Sequence, residues 1–277
     1  MTHARHSKAI FLGVMILVLG LAGSTIGQQK VKTSEETVSI PTYGIEDNAY
    51  PVFPLTYWSN DLYPYSLLDS PFLTKVAKKY RLLVLENEFV RVTVLPEVGG
   101  HLYNFYDKVN HREAVYVNHV IKPLIHGLRW GWPSGGFEFN FPHAHYYSAC
   151  EPIEYSIRQN PDGSGSIFVG EIENRYGMRW EVRLTLFPGK AYLVQEVKIH
   201  NRTPLPERYH FWTINAFKTN EHTQVIFPAR RMLDHSQKYV TTYPIWGGRD
   251  ISYTEQLFSG GSWSALYPHD NPSTCPT

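Results

Sequence analysis

Between Arg129 and His145 the chain reads RWGWPSGGFEFNFPHAH, and that stretch concentrates the groups most able to do chemistry. Glu138 supplies a carboxylate that can move a proton or hold hydroxyl groups. His143 and His145 add two imidazoles at an H-x-H spacing. Arg129 and Asn140 are hydrogen-bonding groups, and Trp130 and Trp132 present flat apolar faces. Three readings stay open at this point. Glu138 and the histidines can simply tie down a long connection through loop amides. The H-x-H pair plus a carboxylate resembles part of a zinc or iron site, with His126 or Glu151 as a further ligand, although a third and fourth ligand are not evident. The third reading is a saccharide site, because sugars offer apolar C–H faces and rings of hydroxyls that this set of side chains matches. The candidate ligand-binding residues are then Arg129, Trp130, Trp132 and Asn140, with Glu138, His143 and His145 as candidate catalytic groups. No metal and no cofactor is assigned.

The elements that must position these groups read as strands. In FVRVTVL, Val90, Val92 and Val94 alternate with Arg91 and Thr93, and in WEVRLTL, Trp180, Val182, Leu184 and Leu186 alternate with Glu181, Arg183 and Thr185. Such a period of two marks strands with one face on a core. Further strands are expected at Arg81–Glu86, Leu102–Asp107, Ala114–Asn118, Ile153–Gln159, Ser166–Glu173, Ala191–Asn201, Tyr209–Phe217 and Thr223–Phe227. Turn chemistry such as PEVGG, NPDGSG and FPGK separates them. In Phe137–Phe141 the phenylalanines should face the core and Glu138 and Asn140 the opposite, solvent or pocket side. A helical turn is expected only at SPFLTKVAKK, with Ser70 as its cap. The fold class is therefore all-β, a large antiparallel sandwich.

The chain has 277 residues, with 26 Lys and Arg against 25 Asp and Glu. That balance leaves no basic footprint for nucleic acid. Aromatic residues make up 14% and charged residues 18%, the opposite of a disordered chain. Arg5 and Lys8 precede an apolar run, Ala9–Ala22, and a small-residue exit, which reads as a secretory signal peptide or an uncleaved anchor. The expected organisation is a signal peptide at 1–27, a polar linker at 28–48, the sandwich domain at 49–235 and a weakly patterned tail at 236–277. Cys150 and Cys275 could pair in an oxidising compartment, yet nothing in the sequence places them close together, and the pairing stays open with the balance against a bridge.

The run from LVLENEFVRVTVLPEVGGHLYNFYD through RWGWPSGGFEFNFPHAH to YHFWTINAF resembles a bacterial family of unknown function. Its members usually place this domain at the N-terminus of longer tetratricopeptide-repeat proteins. That family in turn is similar to the galactose-mutarotase-like β-supersandwich, through Glu86, Asn87, Val92, Val94, Pro96, Gly99 and Gly100, and through Gly135, Gly136, Phe141 and Pro142. The resemblance implies a saccharide-binding groove across a sheet. In mutarotases a Glu from a late strand and a His exchange protons with the sugar, and this chain ends before the matching strand. The sandwich is therefore expected to be incomplete at its C-terminus, with unpaired edges that favour self-association. Arg129 and the weaker candidate Arg91 are possible hydroxyl clamps.

The reading that follows is an exported carbohydrate-binding domain with a saccharide as its partner, touching a membrane only through an uncleaved signal sequence. The alternatives are a sugar epimerase or glycoside-processing enzyme using Glu138 with His143 or His145, and a cell-envelope structural or interaction domain.

Overall fold

The computed structural model describes residues 29–51, 65–126, 130–142, 145, 147–220, 222–233 and 240–253. These residues form strands and connections in antiparallel sheets, with no helix among them long and apolar enough to cross a membrane. The described residues are all-β, as the alternation and turn chemistry require.

The larger sheet has seven strands. Strands β1 (Lys32–Pro51), β2 (Ser66–Glu86), β3 (Val90–Leu95), β4 (His101–Asp107), β8 (Phe137–Asn140) and β13 (Trp212–Asn215) follow one another across it, with β5 (Arg112–Glu113) beside β4. The second sheet has four strands in the order β12 (Leu193–His200), β11 (Arg179–Leu186), β10 (Gly165–Ile172) and β9 (Glu154–Gln159). A short hairpin of β6 (Pro123–His126) and β7 (Trp130–Pro133) precedes β8. Two further hairpins close the described chain: β14 (Arg231–Leu233) with β15 (Val240–Thr242), and β16 (Ile245–Trp246) with β17 (Arg249–Asp250).

The two main sheets pack face to face, which makes a sandwich. Leu83, Leu85, Val92, Val94, Leu102, Phe139 and Phe141 from the larger sheet meet Ile167, Val169, Trp180, Val182, Leu184 and Leu186 from the smaller. Each such side chain taken fully out of water contributes about 1.5–3 kcal/mol. The opposite face of β2 and β3 carries a second cluster of Ile40, Tyr80, Leu82, Val84, Leu95, Val98 and Ile121. Strand β2 is therefore apolar on both faces from Leu82 to Leu85, as a strand covered on both sides must be.

Four local expectations are corrected. The segment expected as a linker, 28–48, instead holds most of β1, which pairs with β2 from Lys32↔Glu86 onward. The expected helical turn SPFLTKVAKK lies inside β2, where Lys75 faces Tyr43 and Lys79 faces Ser39. Residues 74–79 are exposed, so cross-strand hydrogen bonds hold this part of the ribbon and no apolar alternation marks it in the sequence. Ala114–Asn118 is an extended connection and not a strand. Its Val115 and Val117 are buried, while Tyr116 N–H donates to the Ala216 carbonyl and the Tyr116 carbonyl accepts from Gly136 N–H. Thr223–Phe227 keeps only a single bridge, Gln224 to Tyr253, and leaves Ile226 and Phe227 exposed.

Candidate functional site

Strand β8 pairs with β13 antiparallel, placing Asn140 opposite Trp212 and Glu138 opposite Ile214. Directly opposed residues share a face, so Glu138, Asn140, Trp212 and Ile214 lie on one side of the sheet. Phe139 and Phe141 lie on the other side, in the core between the sheets, as the alternation predicts. On the far side of β8, Leu102 of β4 pairs with Phe137.

Glu138 and Asn140 do not face solvent. Glu138 is only 3% exposed and Asn140 is fully buried, with the His145 ring in contact with the Glu138 carboxyl. This corrects the expectation that both side chains face solvent or an open pocket. The Phe141–Pro142 bond is cis, and the Pro142 carbonyl accepts a hydrogen bond from His210 N–H, which anchors the turn to the chain entering β13.

The fold brings two of the predicted groups together. Glu138 Oε1 lies 3.1 Å from His145 Nδ1. The buried carboxyl is pushed above its ordinary range by desolvation, while the hydrogen bond and charge of His145 and the Asn140 amide pull it back down. The other carboxyl oxygen, Oε2, is buried and has no hydrogen-bond partner among the described residues. A carboxyl and an imidazole in contact share one proton. When Glu138 is ionised, His145 Nδ1–H donates to it; when Glu138 is protonated, its O–H donates to Nδ1. The imidazole is the outer member of the pair, 19% exposed against 3% for the carboxyl.

The aromatic surface beside this pair is not the expected one. Arg129 and His143 lie outside the described residues, and of Trp130 and Trp132 only the backbone, in β7, is described. Instead Trp212, some seventy residues downstream of Glu138, sits edge-on to His145 with ring centroids 5.3 Å apart. His210, two residues earlier and so on the same face, stacks on Trp212 at 5.9 Å with the rings 11° from parallel. A sequence signal exists: His210 and Trp212 alternate within YHFWTIN, a pattern that by itself reads only as a strand. What it lacked was the pairing of β13 with β8.

Beside the glycine doublet that leads into β8 stands His101, the first residue of β4. It is buried, and its Nε2–H donates to the Gly135 carbonyl at 2.5 Å. Burial holds its pKa down at about 4, against an ordinary 6.5. Gly136 is the closest approach in this region: with φ at 54°, a Cβ there would come within 1.9 Å of the Leu102 carbonyl oxygen. The glycine doublet thus seats β8 directly on β4.

Arg91, the weaker clamp candidate, is held in ion pairs. It lies on β3 with its guanidinium 2.7 Å from Glu36 and 3.9 Å from Glu86. Among the described residues no cluster of three His, Cys, Asp or Glu side chains is placed to hold a metal ion. Cys275, the other cysteine of the chain, lies outside the described residues. An open groove of about 720 Å³, lined by Tyr106, His111, Arg112, Glu113 and Lys218, lies toward the other end of β4. Its charges are matched internally, Lys218 to Glu113 at 3.2 Å and Arg112 to Asp107 at 3.7 Å, so the site is placed on the Glu138–His145 contact.

The fold is similar to a crystal structure of a TPR-domain containing protein from Parabacteroides distasonis ATCC 8503, with a TM-score of 0.65 and 26% sequence identity over 74% of this chain. The chain spans about a third of that protein, 35% of its length. Residues 58–267 match the family described as a domain of unknown function, DUF5107, and the chain belongs to that family.

Proposed function

We propose that this chain is an exported carbohydrate-binding domain whose ligand rests on the face carrying His210 and Trp212, within reach of His145. One observation carries the reading: a buried carboxyl, Glu138, hydrogen-bonded to a part-exposed imidazole that itself stands edge-on to a stacked ring pair. Stacked rings accept the apolar face of a sugar, and the His145–Glu138 pair takes a hydroxyl as donor or acceptor. The galactose-mutarotase-like resemblance of the Gly99–Gly100 and Gly135–Pro142 segments supports the same class of ligand. The basic and apolar leader Arg5–Ala22 supports export. The likeness to a TPR-domain containing protein supports a role as the sugar-facing part of a longer repeat protein.

Titration calorimetry against a saccharide panel, or a glycan array probed with the purified chain, tests this. Binding to at least one saccharide is expected. A cooperatively folded protein that binds none overturns the proposal.

A second reading, an epimerase-like enzyme, is favoured by the contact between an imidazole and a buried carboxyl whose pKa desolvation pushes up, a pairing suited to proton exchange. It requires that saccharide turnover, and not only binding, disappear in Glu138→Gln.

A further inference from the structure

Strand β12 ends the four-stranded sheet, and among the described residues its outer edge meets no other strand. Its eight residues, LVQEVKIH, contain neither Gly nor Pro, and pair with β11 residue for residue from Leu193↔Leu186 to His200↔Arg179 without a bulge. A straight, regular edge of this length presents a free row of N–H and C=O groups, which is a template for another strand. The side chains aligned with the core positions of β11 are Leu193, Gln195, Val197 and Ile199. Val197 is 38% exposed although it lies opposite the fully buried Val182, so the apolar layer between the sheets runs out to this edge without a cover.

We propose that β12 is a self-pairing interface, on which a second copy of this chain adds its own β12 antiparallel to form one continuous sheet. Charge decides the partner. An antiparallel pair centred on Val197 places Glu196 opposite the partner's Lys198 and Lys198 opposite the partner's Glu196. Two complementary pairs then flank the dyad on the outer face. On the inner face Val197 meets the partner's Val197 and extends the core layer of both sandwiches. Glu196 also lies 3.4 Å from Arg183 within the chain, which holds its carboxylate on the outer face where the partner's Lys198 arrives.

Sedimentation equilibrium of the full chain over a range of concentrations tests this, with Lys198→Glu, Glu196→Lys and the double swap as variants. The parent chain is expected to dimerise. Each single charge reversal sets like charges opposite each other at two places and should weaken the dimer about tenfold or more. The double swap restores complementarity and should restore the dimer. All substituted positions are exposed, so circular dichroism should show the same fold throughout. A parent chain that stays monomeric overturns the proposal. So does a dimer indifferent to the single reversals, or one that the double swap fails to rescue.

Discussion

His145 Nδ1 and Glu138 Oε1 lie 3.1 Å apart, one at the surface and one sealed under it. The imidazole is thus the outlet for a proton the carboxyl cannot pass to water directly. Replacing Glu138 by Gln keeps the shape and removes the proton. In the proposed site the ligand meets His145 and not the buried carboxyl, so saccharide affinity is expected to change by less than about threefold. Any saccharide turnover of the parent protein should vanish. Calorimetry and a product assay on the same preparation separate the two effects, and unaltered turnover would exclude Glu138 as a proton carrier.

The same substitution has a signature in stability. Glu138 has its pKa raised in the folded state, so folding favours the protonated form. Below its ordinary value of 4.5 the group is protonated in both states and no penalty applies. As pH rises from there toward the folded pKa, the unfolded chain ionises first and the parent protein loses stability. Glu138→Gln does not titrate. Its melting temperature relative to the parent should climb with pH across that window and then level off. A gap that narrows with rising pH would contradict the burial argument.

His101 acts in the opposite sense. Its folded pKa of about 4 lies below the ordinary 6.5, so acid protonates the unfolded chain first. Stability should fall by about 3 kcal/mol between pH 6.5 and 4 from this residue alone. In His101→Gln the amide can still donate to the Gly135 carbonyl, and the acid-side slope should flatten. Chemical denaturation at several pH values checks it; an unchanged slope would place the acid sensitivity elsewhere.

Trp212 carries the ring surface. Trp212→Ala should reduce saccharide affinity about tenfold or more while the far-ultraviolet spectrum stays that of the parent. An equal loss from Trp180→Ala would point instead to general unfolding, because Trp180 lies fully inside the sandwich core.

Two glycines separate backbone freedom from space. Gly177 has φ at 70° and nothing within 4 Å of a built Cβ, so Gly177→Ala should cost only the left-handed penalty, about 1–2 kcal/mol. Gly136→Ala adds a collision with the Leu102 carbonyl oxygen and should cost roughly 3 kcal/mol or more. Urea denaturation of both variants measures the difference, and equal costs would mean that β4 and β8 separate easily.

The legible parts of this fold were those with one wet face. Val90 to Val94 and Trp180 to Leu186 alternate because a core lies on one side only, and the inward face of Phe139 and Phe141 followed from the same rule. The β1–β2 ribbon was illegible because much of it is exposed on both faces, so Lys75, Lys78 and Lys79 read as helix or linker. Within the candidate site, Glu138 and His145 lie seven residues apart, close enough for sequence proximity to flag them. Trp212 and His210 join them only through the β8–β13 pairing, a contact between distant segments that no local pattern encodes. The burial of Glu138 was missed for a related reason: alternation says which side a residue takes, not what later chain covers that side.

Gly136 has a further consequence for how this surface can diversify. Since its backbone rests against Leu102 with no gap for even a methyl group, β8 cannot slide along β4, and the height of residue 138 above the sheet is locked by that seat. Substitutions on β13 can therefore reshape the face around the carboxyl, while the carboxyl itself stays where the glycine has put it.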